Sequence, residues 1–159
     1  MIVRRAEERD IPKILDLLVQ VLNIHAEGRP DLFIPNTTKY TVDELKVMIR
    51  DDNAPIFVAD ENGEVLGYAF TVMQRRLHNN NMTDIKTLFI DDLCVDEKAR
   101  GKHVGRTIFD HVKEYARSEN VYHITLNVWS FNDKAISFYE NVGLRPMETV
   151  MELILDEQK

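Results

Sequence analysis

The sequence has a single cysteine, only six glycines and five prolines among 159 residues, and fewer basic than acidic residues. Because a disulfide needs two thiols, the single Cys94 excludes an internal disulfide and favours a reducing compartment. No apolar run approaches the ~20 residues that cross a bilayer, and charged residues crowd positions 4–10, where a secretion signal is apolar. We therefore expect a cytoplasmic protein that forms a single domain over residues 1–159.

The excess of acids over bases also bears on the partner. Twenty-seven acids against twenty bases give a net charge of -7, which argues against a broad nucleic-acid surface and suits small cationic partners. No H-x-x-x-H pattern or Cys/His cluster marks a metal site. We expect no nucleic acid, no membrane and no metal.

Short strands and helices alternate along the chain, which predicts an α/β fold with a mixed sheet. The predicted order is β-α-α-β-β-β-α-β-α-β: a strand in IVRRA, helices in DIPKILDLLVQVLNIH and TVDELKVMI, a hairpin around Asn62-Gly63, a strand in IKTLFIDDLCV, a helix over 104–118, a strand in VYHITLNVW, a helix in NDKAISFYENVGL and a closing strand in RPMETVMELIL. The strand–helix–strand unit before the last helix predicts two parallel strands.

Several residues are typical of helix ends. Asp10 and Asn132 are predicted N-caps, and Thr41 with Glu44 three residues later forms a capping-box pattern. Gly143 stands where a helix commonly ends in the left-handed conformation.

The stretch DEKARGKHVGRTIF, residues 96–109, concentrates bases in an acidic chain. It lies between a buried strand and a helix N-terminus, where free N–H groups and the helix dipole attract anions. Arg100, Lys102 and Arg106 add full charges, so the stretch predicts a phosphate or diphosphate site. The alternative is that the glycines only shape a turn and the bases form a solvated face.

Other phosphate-binding loops fit this stretch less well. A P-loop requires G-x-x-x-x-G-K-[ST], but Gly101 and Gly105 are one residue too close, and Arg106-Thr107 follows them. The G-x-G-x-x-G dinucleotide fingerprint is absent.

RGKHVG resembles the R/Q-x-x-G-x-G/A pattern of the GNAT superfamily of N-acetyltransferases, with Arg100 first and Gly105 last. His103 stands where the family has its middle glycine, and histidine is among the residues that tolerate positive φ. The later SFND and FYENVGL also resemble the family's fifth strand and fourth helix. The resemblance implies a GNAT-type mixed central sheet that helices flank and that is splayed between strands 4 and 5 by a bulge.

The resemblance also implies residue roles. Acetyl-CoA is the implied co-substrate, and strand edge residues Leu93, Cys94 and Val95 would pair with its pantetheine. Asn132 resembles a residue that contacts the pantetheine or adenosine part. The implied diphosphate site is made of Arg100, Gly101, Lys102, His103, Val104, Gly105 and Arg106.

Tyr139 resembles the family's general acid, and its phenol, with a pKa near ~10, would be protonated at neutral pH. The alternative is a core aromatic. Asp91 resembles an acid that acts as base through water, whereas strand alternation would turn Asp92 to the other face. Solvated carboxylates near a bulge are the alternative for both.

The remaining candidates are weaker. Cys94 has no adjacent base to activate it, so we expect a packed thiol. His25 and Glu27 fall in the loop after the first helix, which lines the acceptor pocket in the resembled family, and they are candidates for binding an amine. A polar surface loop is the alternative.

The function that follows is transfer of an acetyl group from acetyl-CoA to a primary amine by direct attack in a ternary complex. Two alternatives stay open: an acyl-CoA sensor of the same fold without turnover, and a nucleotide-binding α/β domain. The resemblance allows a homodimer through late strands such as METVMELIL.

Overall fold

The computed structural model describes residues 1–75 and 80–156, and it is built on a five-stranded sheet in the order β1-β2-β3-β4-β5. The strands are β1 Ile2–Arg5, β2 Ile56–Glu61, β3 Glu64–Arg75, β4 Lys86–Val95 and β5 His123–Leu126. The first four strands are antiparallel to their neighbours, and β5 is parallel to β4. The predicted mixed sheet and parallel crossover are confirmed.

Helices cover both faces of the sheet. They are α1 Ile11–Gly28, α2 Val42–Met48, α3 Val104–Ser118 and α4 Asp133–Asn141. Residues of α1 and α2 pack with Tyr68, Phe70 and Cys94 on one face. Residues of α3 pack with Leu88 and Ile90 on the other. The sheet is thus the middle layer between two apolar clusters.

Most of the predicted helix ends are confirmed. The Thr41 hydroxyl accepts a hydrogen bond from the amide of Glu44, and the Glu44 carboxylate accepts one from the amide of Thr41. At α4, Asn132 Oδ1 accepts a hydrogen bond from the amide of Ala135 at 3.1 Å. Gly143 has a φ of 105° just after α4. Asp10 precedes α1 but makes no cap bond to it, because its buried carboxylate accepts from Arg4 and from the amide of Glu7.

The predicted turn between β2 and β3 is also present. Asn62 and Gly63 have φ values of 54° and 88°, as a type I′ hairpin turn requires. The polar LHNNNMTD segment after β3 falls partly outside the described residues.

The closing strand of the predicted order is wrong for this sheet, which ends at β5. Residues 145–156 follow α4 without joining any strand of the described chain. A strand needs a neighbouring backbone to hydrogen-bond with, and the alternating pattern of the segment does not supply that neighbour.

β4 carries a bulge that divides it into two parts. Phe70 of β3 pairs with Asp92, but the next residue, Thr71, pairs with Ile90, so Asp91 has no partner across the ladder. The parallel pairing with β5 also stops at Ile90, opposite Leu126. The predicted splay between strands 4 and 5 is confirmed, and it begins at the bulge.

Candidate active site

Beyond the bulge, β4 has one paired edge and one open edge. The amide of Asp96 donates to the carbonyl of Leu66 at 2.8 Å. Because antiparallel pairing alternates, Cys94 turns its backbone groups toward β3, while Leu93 and Val95 turn theirs toward the gap left by β5. Two of the three predicted edge residues therefore offer main-chain hydrogen bonds to an extended ligand.

The loop after β4 is fixed at its start. Asp96 is buried and accepts hydrogen bonds from Lys13 of α1 and from the amide of Lys98. The Lys13 ammonium holds the pKa of Asp96 below its usual range. This ion pair ties the end of β4 to α1 and sets where the loop leaves the sheet.

The loop itself uses two left-handed residues. Gly101 has a φ of 83° and His103 a φ of 61°. His103 thus takes the conformation expected of the family's middle glycine, and its exposed side chain stands at the N-cap of α3. A Cβ on Gly101 would meet no atom within 4 Å, so Gly101 leaves open space beside the backbone.

Unpaired main-chain donors collect at this loop. Within the described residues, the amides of 100–106 donate to no other group, and no side chain caps α3. Free amides at the start of a 15-residue helix provide a site for an anion.

The charges around the loop are also unpaired. Arg100, Lys102 and Arg106 are exposed and form no ion pair with a described residue, whereas Arg4 and Arg29 each bind two carboxylates. In a chain with net charge -7, three free cations at one helix end indicate an anionic ligand.

Gly105 lets α4 approach the start of α3. A Cβ on Gly105 would lie 3.1 Å from the Phe138 ring and 3.5 Å from Val95. The small residue therefore brings α4, the loop and the open edge of β4 together. A shallow depression of about 470 Å³, lined by Asp133, Lys134, Ser137, Phe138 and Asn141 of α4, adjoins Phe138.

Both carboxylates of the acidic pair lie on the α1 and α2 side of the sheet. Asp91 binds Lys39 Nζ through both oxygens at 3.1 Å and accepts from Tyr40 Oη at 2.8 Å. Asp92 accepts from Tyr68 Oη at 2.6 Å. The expectation that the two acids face opposite ways is wrong, because the bulge at Asp91 interrupts strand alternation.

Asp92 is the more perturbed acid. It keeps some accessible surface but is densely surrounded, and loss of hydration raises its pKa to about 6 despite the hydrogen bond from Tyr68. Burial likewise raises the pKa of Tyr68 well above its ordinary value, with the charge of Asp92 second. A carboxylate that releases its proton near pH 6 is a stronger base at neutral pH than an ordinary one.

Tyr139 of α4 is half-buried, and the charge of Asp92 acts on its hydroxyl. Burial raises its pKa first, and the charges of Asp92 and Cys94 raise it further. Its hydroxyl makes no hydrogen bond within the described residues, so the proton is free to be donated. The acidic pair thus lies at the bulge where the pairing of β4 with β5 stops, and the charge of Asp92 acts on the predicted acid.

Cys94 is a packed thiol, as expected. It is 5% exposed, and its Sγ lies 3.6 Å from the carbonyl of Leu17. Burial raises its pKa to about 12, which leaves almost no thiolate at neutral pH.

His25 lies in an aromatic cluster. Its ring is 5.3 Å from Phe33 and 6.3 Å from Trp129, and Trp129 lies 6.1 Å from Phe131. Burial and then the charge of Lys39 lower the pKa of His25, which keeps the imidazole neutral. The cluster joins the end of α1 to the loop after β5.

The prediction that His25 and Glu27 lie in the loop after the first helix is wrong, because α1 continues to Gly28 and includes both residues. Glu27 is exposed and forms no hydrogen bond or ion pair with a described residue. Asn132 uses its side-chain oxygen to cap α4, which leaves only its amide nitrogen free for a ligand.

Sequence reasoning missed five residues of this region: Phe33, Lys39, Tyr40, Tyr68 and Trp129. Lys39 and Tyr40 reach Asp91 from 52 and 51 positions away, and no local pattern signals such contacts.

Within residues 1–75 and 80–156, no three His, Cys, Asp or Glu side chains form a group that could hold a metal. None of the described helices has the length and apolar character to cross a membrane.

Known proteins are similar to this chain in sequence and in fold. In solved structures, a crystal structure of a mutant of the BH1408 protein from Bacillus halodurans is 32% identical and superposes with a TM-score of 0.93, covering 98% of this chain and 99% of that one. Among curated proteins, the uncharacterized N-acetyltransferase YhfO of Bacillus subtilis (strain 168) is 33% identical over 99 residues. The glucosamine 6-phosphate N-acetyltransferase of Trypanosoma brucei brucei is 27% identical over 100 residues.

The two curated matches cover 62% and 63% of this chain and 64% of the length of each relative. A family model described as the acetyltransferase (GNAT) family matches residues 18–144, which include α2, α3, α4, the bulge and the basic loop. The chain therefore belongs to the GNAT family of acetyltransferases.

Proposed function

We propose that the protein is an N-acetyltransferase that moves an acetyl group from acetyl-CoA to a primary amine by direct attack in a ternary complex. The observation that carries the proposal is the gap between β4 and β5, with the free amides of 100–106 at one end and Asp92 directly after the bulge. The charge of Asp92 raises the pKa of Tyr139 on α4, which links the predicted acid to this gap. We propose further that residues 1–159 form one domain, that it acts in the cytoplasm and that it forms a homodimer.

The residues present fit acetyl-CoA. The free amides of 100–106 and the side chains of Arg100, Lys102 and Arg106 suit a diphosphate. The outward backbone groups of Leu93 and Val95 suit the amides of pantetheine, in the way that a peptide adds to a sheet edge. When bound, acetyl-CoA would supply the acetyl group as a thioester.

Tyr139 is proposed to donate a proton to the leaving sulfur. Its raised pKa keeps the phenol protonated across the physiological range. Its hydroxyl is free of other described partners, so donation breaks no existing hydrogen bond. The free N–H groups of Leu93 and Val95 are suited to stabilise negative charge on the carbonyl oxygen.

The acidic pair is proposed to take the proton from the amine. Asp91, the predicted base, is held by Lys39 and Tyr40. The pKa of about 6 makes Asp92 a second candidate. If Asp92 is the base, kcat/KM falls as the pH drops through about 6, since protonation removes the acceptor.

The acceptor is proposed to be a cationic primary amine, such as a polyamine, an amino sugar or a peptide N-terminus. Asp91 and Asp92 provide negative charge, and Phe33 and Trp129 provide ring faces that suit a cation or a sugar. His25 and Glu27 are proposed as contacts for the same amine. The relative that acetylates glucosamine 6-phosphate makes that compound one acceptor to test.

The deciding experiment measures CoA thiol release by the purified chain with spermidine, glucosamine, glucosamine 6-phosphate and a peptide N-terminus. Calorimetry with acetyl-CoA and with ATP runs beside it. We expect acetyl-CoA to bind, ATP to bind more weakly and one acceptor class to release thiol. Binding of acetyl-CoA without turnover across the panel would favour the sensor alternative, and tighter binding of ATP would favour a nucleotide-binding domain.

A matched pair of variants assigns the base. Asp91→Asn and Asp92→Asn both keep the shape of the side chain and remove its charge. The variant that loses the acidic limb of the kcat/KM profile identifies the proton acceptor. If both keep the wild-type profile, neither carboxylate is the base.

A further inference from the structure

A lysine amine of the chain itself occupies the candidate site. Lys39 Nζ lies 3.1 Å from both carboxylate oxygens of Asp91, the residue at the bulge where the pairing of β4 with β5 stops. Lys39 belongs to the segment between α1 and α2, and 53% of its side chain is accessible. A primary amine that a ligand can reach therefore already touches one of the two candidate bases.

The segment that carries Lys39 is anchored on both sides of it. Before it, the amide of Asn36 donates to Asn23 Oδ1 at 2.8 Å, and Asn23 Nδ2 donates to Asn36 Oδ1 at 3.1 Å, which ties the segment to α1. After it, the Tyr40 ring stacks on Phe70 of β3 with the ring centres 5.6 Å apart. Because these contacts fix the backbone on either side, the amine needs little ordering to stay beside the bulge.

The positive charge of Lys39 acts on other groups of the site. Burial raises the pKa of Asp92, and the hydrogen bond from Tyr68 and then the charge of Lys39 oppose that rise. Burial lowers the pKa of His25, and the charge of Lys39 lowers it further. An acceptor ammonium bound beside the two acids would act on the same groups in the same direction. Lys39 thus takes the electrostatic place of the cationic amine that we propose as acceptor.

A second lysine pairs with a carboxylate at the end of β4 but has a different surrounding. Lys13 binds Asp96, which is buried and also accepts the amide of Lys98, so this ion pair fixes a turn of the backbone. Asp91 accepts from no main-chain amide of the described residues. The pair of Lys39 with Asp91 therefore lies at the opening of the sheet, whereas the pair of Lys13 supports the loop that follows it.

We propose that Lys39 is a modification site of this protein: in the absence of an external amine, Lys39 Nζ takes the acetyl group from acetyl-CoA bound to the same molecule. The inference rests on the proposed function, because the acetyl group must come from a thioester at the open edge of β4. It goes beyond that function by naming an acceptor within the chain.

The transfer balances with groups that the site contains. The neutral Nζ attacks the thioester carbonyl carbon, an N–C bond forms, and the C–S bond breaks with its electron pair on sulfur. Nζ begins as an ammonium with three protons and ends as an amide with one. Of the two protons released, one replaces the proton that Tyr139 donates to the sulfur, and the other leaves through Asp91 to water.

The ion pair also limits the rate of this transfer. Burial lowers the pKa of Lys39, but the hydrogen bonds and charge of Asp91, and then Tyr40, outweigh burial and hold the pKa above its ordinary value. Only the neutral amine attacks, so the rate should rise by about tenfold for each unit between about pH 7 and pH 9. A free amine of ordinary pKa keeps a larger neutral fraction, so Lys39 reacts mainly when such amines are absent.

The first test incubates the wild-type chain with isotope-labelled acetyl-CoA and no external amine, and maps the label by proteolysis and mass spectrometry. We expect at least about tenfold more label on Lys39 than on Lys46, an exposed lysine of α2, or on Lys13, which is paired with a buried carboxylate. The labelled fraction should be the same at about 1 μM and about 50 μM protein, as a reaction within one molecule requires. Equal labelling of the three lysines, or labelling of Lys39 that rises with protein concentration, would overturn the proposal.

A matched pair of variants assigns the label. Lys39→Arg keeps a positive charge beside Asp91 and removes the acceptor amine, and Lys46→Arg makes the same change on α2. Intact-mass measurement should show the main acetyl increment in the wild type and in Lys46→Arg, and its loss in Lys39→Arg. An undiminished increment in Lys39→Arg would refute Lys39 as the site.

A further test involves no acetyl transfer. Reductive methylation with formaldehyde modifies accessible lysine amines, and it is run with and without a thioether analogue of acetyl-CoA that cannot donate an acetyl group. The bound analogue should slow methylation of Lys39 by at least about fivefold and leave Lys46 unchanged, because only Lys39 lies where the acetyl end is expected. Calorimetric binding of the analogue without protection of Lys39 would contradict the proposal.

These results separate the modification of Lys39 from the proposed function. Turnover of an external amine without label on Lys39 refutes the modification site and leaves the proposed function standing. Label on Lys39 without turnover across the amine panel supports the modification site and counts against transfer to those amines. Absence of acetyl-CoA binding overturns both.

Discussion

The two halves of β4 have different tasks although they belong to one strand. Residues 86–90 pair with β3 on one side and with β5 on the other, and Leu88 and Ile90 are buried. Residues 91–95 pair with β3 alone, and Leu93 and Val95 stay half-buried. One extra residue, Asp91, separates a structural half from a half whose backbone is open to a ligand.

The comparison shows how a sheet opens a binding edge without losing its core. The first half of β4 is paired with a strand on each side, and this pairing supports the position of the second half. The second half keeps its inner ladder to β3, so its outward amides stay ordered even without a neighbour. A bulge in one strand is thus sufficient to turn an interior strand into a local edge.

The largest effect is expected at the candidate active site, which combines the open half of β4, residues 91–95, with Tyr139 of α4. Tyr139→Phe removes the proposed proton donor, and we expect kcat to fall by roughly 10²–10⁴, or about 3–5 kcal/mol in the barrier, while acetyl-CoA affinity changes less than about threefold. Steady-state kinetics and calorimetry measure both. Tyr122→Phe, on an exposed surface tyrosine, is the control. Full activity in Tyr139→Phe would remove Tyr139 from the mechanism.

Substitutions in the structural half of β4, residues 86–90, should instead affect mainly the stability of the protein. Leu88 is fully buried, so Leu88→Ala should lower the free energy of unfolding by about 2–5 kcal/mol through lost burial and a cavity. Leu93→Ala, at a half-buried position, should lower it by roughly 1 kcal/mol. Urea unfolding compares the two variants. Equal losses would contradict the division of β4 at the bulge.

Asp92→Asn tests whether the buried carboxylate of the open half lowers the stability of the protein at neutral pH. The folded pKa of about 6 lies above the ordinary value of ~3.9, so the wild-type carboxyl contributes stability below about pH 4 and loses it as pH rises through about 6. Asparagine does not titrate, so the free energy of unfolding of the variant should rise by about 2–3 kcal/mol relative to the wild type as the pH increases from 4 to 8.

Urea unfolding from pH 4 to pH 8 measures this gain. Asp91→Asn is the neighbouring control, and it should lose stability because Lys39 would be left without its partner. A flat difference between Asp92→Asn and the wild type would mean that the carboxyl is not perturbed by its surroundings.

The smallest effect is expected at the loop beside the open half. His103 has a φ of 61°, and a β-branched residue is strained there, so His103→Val should destabilise by roughly 1–2 kcal/mol and weaken acetyl-CoA binding. His103→Gly should stay within about 0.5 kcal/mol, since relief of strain offsets the added freedom of the unfolded chain. Thermal unfolding measures the stability of both variants, and calorimetry measures their affinity for acetyl-CoA. A weaker affinity in His103→Gly than in His103→Val would mean that the side chain, not the backbone, binds the ligand.

Local signals in the sequence predicted the parts of the fold that neighbours in the chain control. The capping box at Thr41, the turn at Asn62-Gly63 and the start of α3 at Val104 depend on residues within a few positions. The basic loop was predicted for the same reason, because its glycine, bases and helix start are contiguous. Contacts such as Tyr68 with Asp92 span 24 positions, and neither a period nor a motif encodes them.

The sequence by itself determined the order of helices and strands as far as α4, the turn at Asn62-Gly63 and the helix N-terminus where bases collect, because propensity, capping and periodicity act over a few residues. Only the tertiary structure decided that β4 bulges at Asp91, that both acids lie on one face and that residues 145–156 join no strand of the described chain. Those features depend on which backbone lies next to which, and that is settled by packing and hydrogen bonding between distant segments.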